Sequence, residues 1–307
     1  MLKSTQKLDS APGLTILTAT YNRGHLLRRC YESLCKQTCK NFEWLIVDDG
    51  STHATEEVVN NIKQENPPFA VRYVKKENGG KHTALNFSHP YINGQYLLML
   101  DDDDYLTSDA VEIALQDWSI YTDNEKIGCI SYQRADLKTN KPLVTWREKP
   151  EKGPIISNYI GFRVNAGRKG DCAEVVRTSM FVKFPAPVYE GEKFLPEDFL
   201  WVNSALEYDT VYISKVIYLC EYRADGLTKG KRGSRFKDPL GGMYTCNLYF
   251  NPKISFLVQM KKAVLYDCYA LAAGGNYLLS KYLKEAKSIK CKLMLPAAWL
   301  IYRIWKV

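Results

Sequence analysis

Three times within the first hundred residues a short apolar run stops abruptly in a polar cluster. Leu14 to Ala19 runs into Thr20-Tyr21-Asn22-Arg23, Phe42 to Val47 into Asp48-Asp49-Gly50-Ser51, and Tyr96 to Leu100 into four consecutive aspartates, Asp101 to Asp104. Each run has strand length, and helical patterns separate them. His25–Gln37 places Leu26, Leu27, Cys30, Tyr31 and Leu34 on one side,. A further helix follows residue 51, with Ser51 or Thr52 as its cap and Glu56 and Glu57 in its first turns,. Lys81–Phe87 and Asp109–Tyr121 read as two more, and Val71–Val74 as another strand. This alternation predicts parallel βα units. In such sheets ligands bind at the carboxyl ends of the strands, so the three polar clusters are expected to meet on one sheet edge.

Beyond about residue 130 the pattern loosens. Lys149 to Arg168 reads as a loop over a site, Met180–Phe184 and Val211–Leu219 as further strands, and 226–242 as a mobile basic loop. From Ile254 onward the pattern is helical. The expected organisation is a flexible tail over 1–12, an α/β domain over 13–242 and a helical basic extension over 243–307.

A 307-residue chain with 46% hydrophobic and 25% charged residues has a sizeable core, which excludes collagen, coiled coil and a mainly disordered chain,. The net charge of +8 is uneven: 281–307 holds seven basic residues against Glu285 alone. A basic balance confined to a tail does not predict a nucleic-acid binder. With Leu278 just before it, the tail mixes those charges with Tyr282, Leu283, Trp299, Tyr302 and Trp305, a composition suited either to an anionic membrane surface or to a helix packed on the domain with its lysines solvated,. The nine cysteines have no CxxC spacing and predict reduced thiols in a cytoplasmic protein,. The polar start, MLKSTQKLDSAPG, lacks the apolar stretch of a signal peptide, and no run of about 18 apolar residues exists,.

Four adjacent carboxylates repel one another, and a divalent cation relieves that repulsion. Alternate side chains at a strand end share a direction, which pairs Asp101 with Asp103; the other reading of the run is a helix N-cap region with solvated acids. Asp48-Asp49-Gly50-Ser51 is a turn whose carboxylate could also accept a nucleobase N–H. Asn78-Gly79-Gly80-Lys81 sits at a helix start, where backbone amides bind anions, but it lacks P-loop spacing,. Glu197-Asp198 follows Pro196 among apolar neighbours, as either a helix cap or a general base,. Arg223 is either a surface arginine or a phosphate clamp. No metal spacing among the four histidines and no hydrolase triad is present.

Taken together, Thr18 to Arg23, Phe42 to Ser51, the aspartate run and Glu197-Asp198 resemble glycosyltransferase family 2 over roughly residues 14–225. The resemblance implies the GT-A fold, a Rossmann-like α/β, mostly parallel sheet flanked by helices, here with a helical C-terminal extension. It implies an inverting, metal-dependent hexosyltransferase of the kind that builds bacterial surface polysaccharide. Ala19 and Tyr21 then fall at the nucleotide, Asp49 at uracil with Asp48 beside it, and Lys81 near the nucleotide. Asp101 and Asp103 match the metal pair, Asp103 as direct ligand of Mn²⁺ or Mg²⁺. Asp198 matches the general base and Arg223 a basic residue near the diphosphate. The family often carries Pro where Ala19 stands. The run of four aspartates also leaves the register open by one, so Asp102 and Asp104 stay candidates.

The expected donor is a nucleotide sugar, UDP-linked, carrying a hexose or N-acetylhexosamine. The expected acceptor is a glycan or polyprenyl-linked sugar, reached on the inner face of the plasma membrane. Two other readings stay open. One is a cation-dependent carbohydrate-binding scaffold, which would have no need of Asp198. The other, ranked lower, is a sugar-phosphate nucleotidyltransferase, which would follow its first strand with a Gly/Arg-rich loop.

Overall fold

The computed structural model describes residues 11–144, 153–168, 170–221 and 236–306. Nine strands form one mixed sheet: β1 (Leu14–Thr20), β2 (Phe42–Asp48), β3 (Ala70–Lys75), β4 (Tyr96–Met99), β5 (Tyr105–Leu106), β6 (Ile127–Asp136), β7 (Ile155–Ser157), β8 (Cys172–Arg177) and β9 (Asp209–Cys220). The order is β3-β2-β1-β4-β8-β6-β9-β5, with β7 pairing β9. The first four of that order are mutually parallel. β8 then enters antiparallel between β4 and β6, and β6 pairs β9 in parallel again.

β1 and β2 are near-continuous apolar runs because helices cover both of their faces. Leu14, Ile16, Trp44, Ile46, Tyr96 and Leu98 point to one side. There they meet α1 (Leu27–Cys35), α2 (Thr55–Gln64) and α4 (Ala110–Tyr121). Leu17, Leu45, Val47 and Leu97 point to the other. There they meet α3 (Lys81–Ser88), α5 (Thr178–Lys183) and α6 (Asp198–Ser204). The alternation has the period of two that a pleated strand imposes.

Several expectations need correction. The apolar run at 180–184 lies mostly in helix α5, not a strand; the strand is the segment before it, β8. The stretch 149–168 is not all loop, since β7 and a helical turn over Ile160–Asn165 lie within it. α2 begins at Thr55, because Ser51 and Thr52 are engaged in a turn with Asn22. The basic loop at 226–242 lies largely outside the described residues.

After the sheet come α7 (Pro239–Leu248), α8 (Phe256–Glu285) and α9 (Ile289–Lys306). The boundary expected at residue 242 falls inside α7. These three helices share a core of Met243, Cys246, Ala263, Tyr266, Tyr269 and Cys291. A second cluster, in which Ile160, Val202, Ala205, Tyr249 and Ile254 pack, ties them to α6. All nine cysteines are unbridged. Among the described residues no helix is long and apolar enough to cross a membrane.

Candidate active site

Thr20, the last residue of β1, pairs with Asp48, the last residue of β2, and Met99 at the end of β4 pairs with Leu17. The three polar clusters therefore emerge on one edge, and hydrogen bonds join them. The Asp49 amide donates to the Thr20 carbonyl at 2.9 Å. The Thr20 hydroxyl donates to Asp102 Oδ2 at 2.8 Å. The Arg23 guanidinium reaches Asp102 at 3.1 Å and also binds Asp103. Asn22 turns the chain with φ 55, a left-handed conformation that Asn tolerates,. Its side chain accepts from the Thr52 amide. Tyr21 is exposed at this edge, and Ala19 is half-buried beneath it.

Asp48 and Asp49 differ in surroundings. Asp48 is fully buried, accepting from the Ser51 amide and the Tyr73 hydroxyl, each at 2.7 Å. Asp49 organises the segment after β3. Its Oδ1 accepts from Lys76 Nζ and the Gly79 amide, and its Oδ2 from Asn78 Nδ2 and the Gly80 amide. A nucleobase N–H would exchange with one of these donors or share an oxygen with it. Gly80 has φ +93, and a Cβ there would lie 1.9 Å from the Lys193 carbonyl oxygen. Only glycine fits, and the turn it makes delivers Lys81 as the first residue of α3,.

The aspartate run divides by alternation. Asp102 and Asp104 are buried, and burial pushes their carboxyls up to about 6 and about 7. Asp101 and Asp103 are more open, their side chains 34% and 17% exposed. Burial would also raise Asp101, but Lys81 and then Arg134 outweigh it and hold the carboxyl well below the usual range. Lys81 Nζ lies 2.7 Å from Asp101 Oδ1 and 2.8 Å from Glu197 Oε1. It thus links the β4 edge to the residue just before α6. Asp198, the first residue of α6, accepts from the Tyr249 hydroxyl at 2.8 Å and from Lys262 at 3.1 Å. Arg223 lies outside the described residues.

Other groups here gave no local sequence signal. Arg134 on β6 stacks over Tyr218 and stands 3.6 Å from Asp101, whose amide donates to the Tyr218 hydroxyl. Glu174 on β8 faces Ser131 across the strand pair. Burial pushes its carboxyl up to about 7, against the pull of Arg134 and Arg163. It lines a small polar cleft with Tyr159, Arg163, Trp201 and Ser204. Their signal is topological, since β6 and β8 are adjacent only once β8 inserts beside β4.

The acidic edge offers hard oxygen donors of the kind that hold Mg²⁺ or Mn²⁺. Among the described residues no group of three or more His, Cys, Asp or Glu is arranged to hold a metal ion by itself. Asp101 is ion-paired with Lys81 and Arg134, and Asp103 with Arg23, so an ion held by these two carboxylates would share them with those cations and would take its remaining oxygens from a ligand.

The family model of glycosyl transferase family 2 matches residues 15–174. Hyaluronan synthase of Pasteurella multocida is 29% identical over 222 residues, 68% of this chain. The chain spans only 22% of that synthase. The GalNAc(5)-diNAcBac-PP-undecaprenol β-1,3-glucosyltransferase of Campylobacter jejuni is 24% identical over 94% of this chain and 92% of its own. The crystal structure of Staphylococcus aureus TarS 1–349 in complex with UDP-GlcNAc superposes with a TM-score of 0.59 at 14% identity, covering 94% of this chain and 80% of that one. The fold is the expected GT-A fold. The matched segment opens on β1 and closes on β8, so it contains all three clusters of the acidic edge. With more than half of its 307 residues inside that segment, the chain belongs to glycosyltransferase family 2.

Proposed function

We propose that this glycosyltransferase moves a hexose or N-acetylhexosamine, with inversion, from a UDP-sugar to a glycan or polyprenyl-linked acceptor in cell-surface polysaccharide synthesis. The observation that carries the reading is the convergence of Thr20, Asp49 and Asp101–Asp103 on one edge, with Lys81 joining that edge to Glu197 beside Asp198. The Campylobacter relative, nearly coextensive with this chain, is named for an undecaprenol-linked acceptor, and the similarly folded TarS for its complex with UDP-GlcNAc. The first supports the choice of acceptor and the second that of donor.

In this reading Ala19, Tyr21, Asp48, Asp49 and Lys81 form the nucleotide end, and Arg223, outside the described residues, is assigned to the diphosphate by the family resemblance. Asp101 and Asp103 would hold Mn²⁺ or Mg²⁺; their greater exposure favours this register over Asp102 and Asp104. When bound, the ion neutralises the leaving diphosphate. Asp198 removes the proton of the acceptor hydroxyl as that oxygen attacks the anomeric carbon. One attack from the opposite face inverts the configuration. The polypeptide divides into the α/β domain and a helical extension that packs on α6.

The extension supports docking on an anionic bilayer. Ile289, Leu293, Leu300 and Ile304 recur at helical spacing on the exposed side of α9, with Lys292 and Arg303 on the same side. Phe256 and Leu257 at the start of α8 are exposed as well. Apolar side chains interleaved with cations match a headgroup layer of negative charge.

Calorimetry with a panel of nucleotides and nucleotide sugars, with and without Mn²⁺, tests the donor. Metal-dependent binding selective for UDP or a UDP-sugar is expected. Selectivity for another nucleotide replaces the donor, and no binding to any of them overturns the reading.

A further inference from the structure

Asp198 stands at the start of a helix of seven residues, where one turn of backbone does little to fix a side chain. Its carboxylate is held from another part of the chain. Tyr249, just beyond α7, donates its hydroxyl to Asp198 Oδ2 at 2.8 Å. Lys262, two turns into α8, reaches the same oxygen at 3.1 Å. The two donors also hold each other, since the Lys262 ammonium lies 3.7 Å from the centroid of the Tyr249 ring. Tyr249 is buried, and its own packing with Ile160, Val202 and Ile254 fixes where its hydroxyl points. Burial first, and then the charge of Asp198, push the Tyr249 hydroxyl well above its ordinary pKa, so it stays a donor.

Both contacts fall on Oδ2. Among the described residues none donates to Oδ1, which leaves that oxygen able to accept a proton. Asp198, Tyr249 and Lys262 all lie beyond the segment matched to the family, which ends at residue 174.

We propose that Lys262 and Tyr249 are positioning residues for the reaction: the helical extension reaches back to clamp Oδ2 of Asp198, orienting Oδ1 toward the acceptor hydroxyl. This rests on the reading of Asp198 as general base. The extension then completes the catalytic apparatus as well as covering α6.

The experiment follows UDP release from UDP-glucose and UDP-GlcNAc in Mn²⁺, with water as the acceptor, alongside UDP affinity by calorimetry and melting temperature. Asp198→Asn is the control for the base itself and abolishes turnover while sparing UDP binding. Lys262→Met and Tyr249→Phe are each expected to lower kcat about tenfold to a hundredfold, the scale of a misplaced catalytic group. The donor KM and the UDP affinity stay within about twofold. Lys262→Arg, which keeps the cation, restores most of kcat. Lost turnover in Asp198→Asn together with unchanged kcat in Lys262→Met overturns the positioning role and leaves the base standing. Retained turnover in Asp198→Asn overturns the base, and the clamp with it. A Lys262→Met protein that loses kcat, UDP affinity and melting temperature together shows a structural role and also overturns the proposal.

Discussion

Lys81 donates to Asp101 at 2.7 Å, and the same ammonium holds Glu197 at 2.8 Å. One cation therefore joins the acidic sheet edge to the start of α6. Burial works against the Lys81 charge, but Asp101 and Glu197 outweigh it and raise its pKa. Among the described residues, Lys81→Met leaves Glu197 without its counter-ion and Asp101 with Arg134 alone. The pair is half-exposed, so the expected loss of stability is only about 1 kcal/mol, read from urea denaturation. The larger effect is on ligand. A diphosphate brought to this edge loses its ammonium, and UDP affinity in calorimetry is expected to fall about tenfold. Unchanged UDP affinity removes Lys81 from the donor site.

The alternation of exposure along Asp101–Asp104 separates two kinds of carboxylate. Asp101→Asn and Asp103→Asn are expected to abolish the Mn²⁺-dependent part of UDP binding. Asp102→Asn is expected to keep that part, because the side chain is buried against Thr20 and Arg23. Calorimetry with and without Mn²⁺ distinguishes them. Metal dependence lost in Asp102→Asn but retained in Asp103→Asn shifts the register by one.

Asp267 on α8 has a different consequence. It is fully buried, and among the described residues neither carboxylate oxygen has a hydrogen-bond partner. Burial pushes its carboxyl up to about 8. The unfolded chain ionises this group near pH 4. Between these values the folded state holds the proton and the unfolded state does not, so stability falls as pH rises from about 4 to about 8 and then levels. Asp267→Asn removes that slope. Its gain over the unmodified protein is expected to grow with pH to a few kcal/mol near pH 8 and to vanish below pH 4. Melting temperatures across that range check it; a pH-independent difference assigns the effect to packing.

The parallel half of the sheet was legible because β1, β2 and β4 are buried apolar runs that end in polar residues. That alternation also places Thr20, Asp49 and Asp101 on one edge from sequence alone. Of the rest only β9 was legible, as the apolar run Val211–Leu219. A short apolar run such as Met180–Phe184 has no period that separates strand from helix, and here α5 claims most of it,. Arg23 was visible in the first cluster, but its pairing with Asp103 spans 80 residues. The clamp on Asp198 comes from residues 51 and 64 positions away, one just beyond α7 and one on α8, whose local pattern records only the packing of those helices. Contacts of this kind follow from how α6, α7 and α8 meet, which no window of sequence contains.

The exposed side of α9 makes the last prediction. Leu293 is 68% and Leu300 57% exposed, two turns apart on one side of the helix, with Lys292 and Arg303 beside them. Cys291, Met294 and Ala298 face the protein instead, so polar substitutions at 293 and 300 leave the fold intact. Inserting one leucine into a headgroup layer contributes about 1.5 kcal/mol or more. Leu293→Ser with Leu300→Ser is therefore expected to weaken sedimentation with phosphatidylglycerol vesicles at least a hundredfold, at unchanged melting temperature. The cationic share has a separate signature, since binding of the unmodified protein falls as salt is raised from 0.05 to about 0.5 M, where the Debye length shortens severalfold. Equal binding to phosphatidylcholine vesicles assigns the interaction to the apolar stripe alone. No binding to either kind of vesicle overturns the membrane reading of α9.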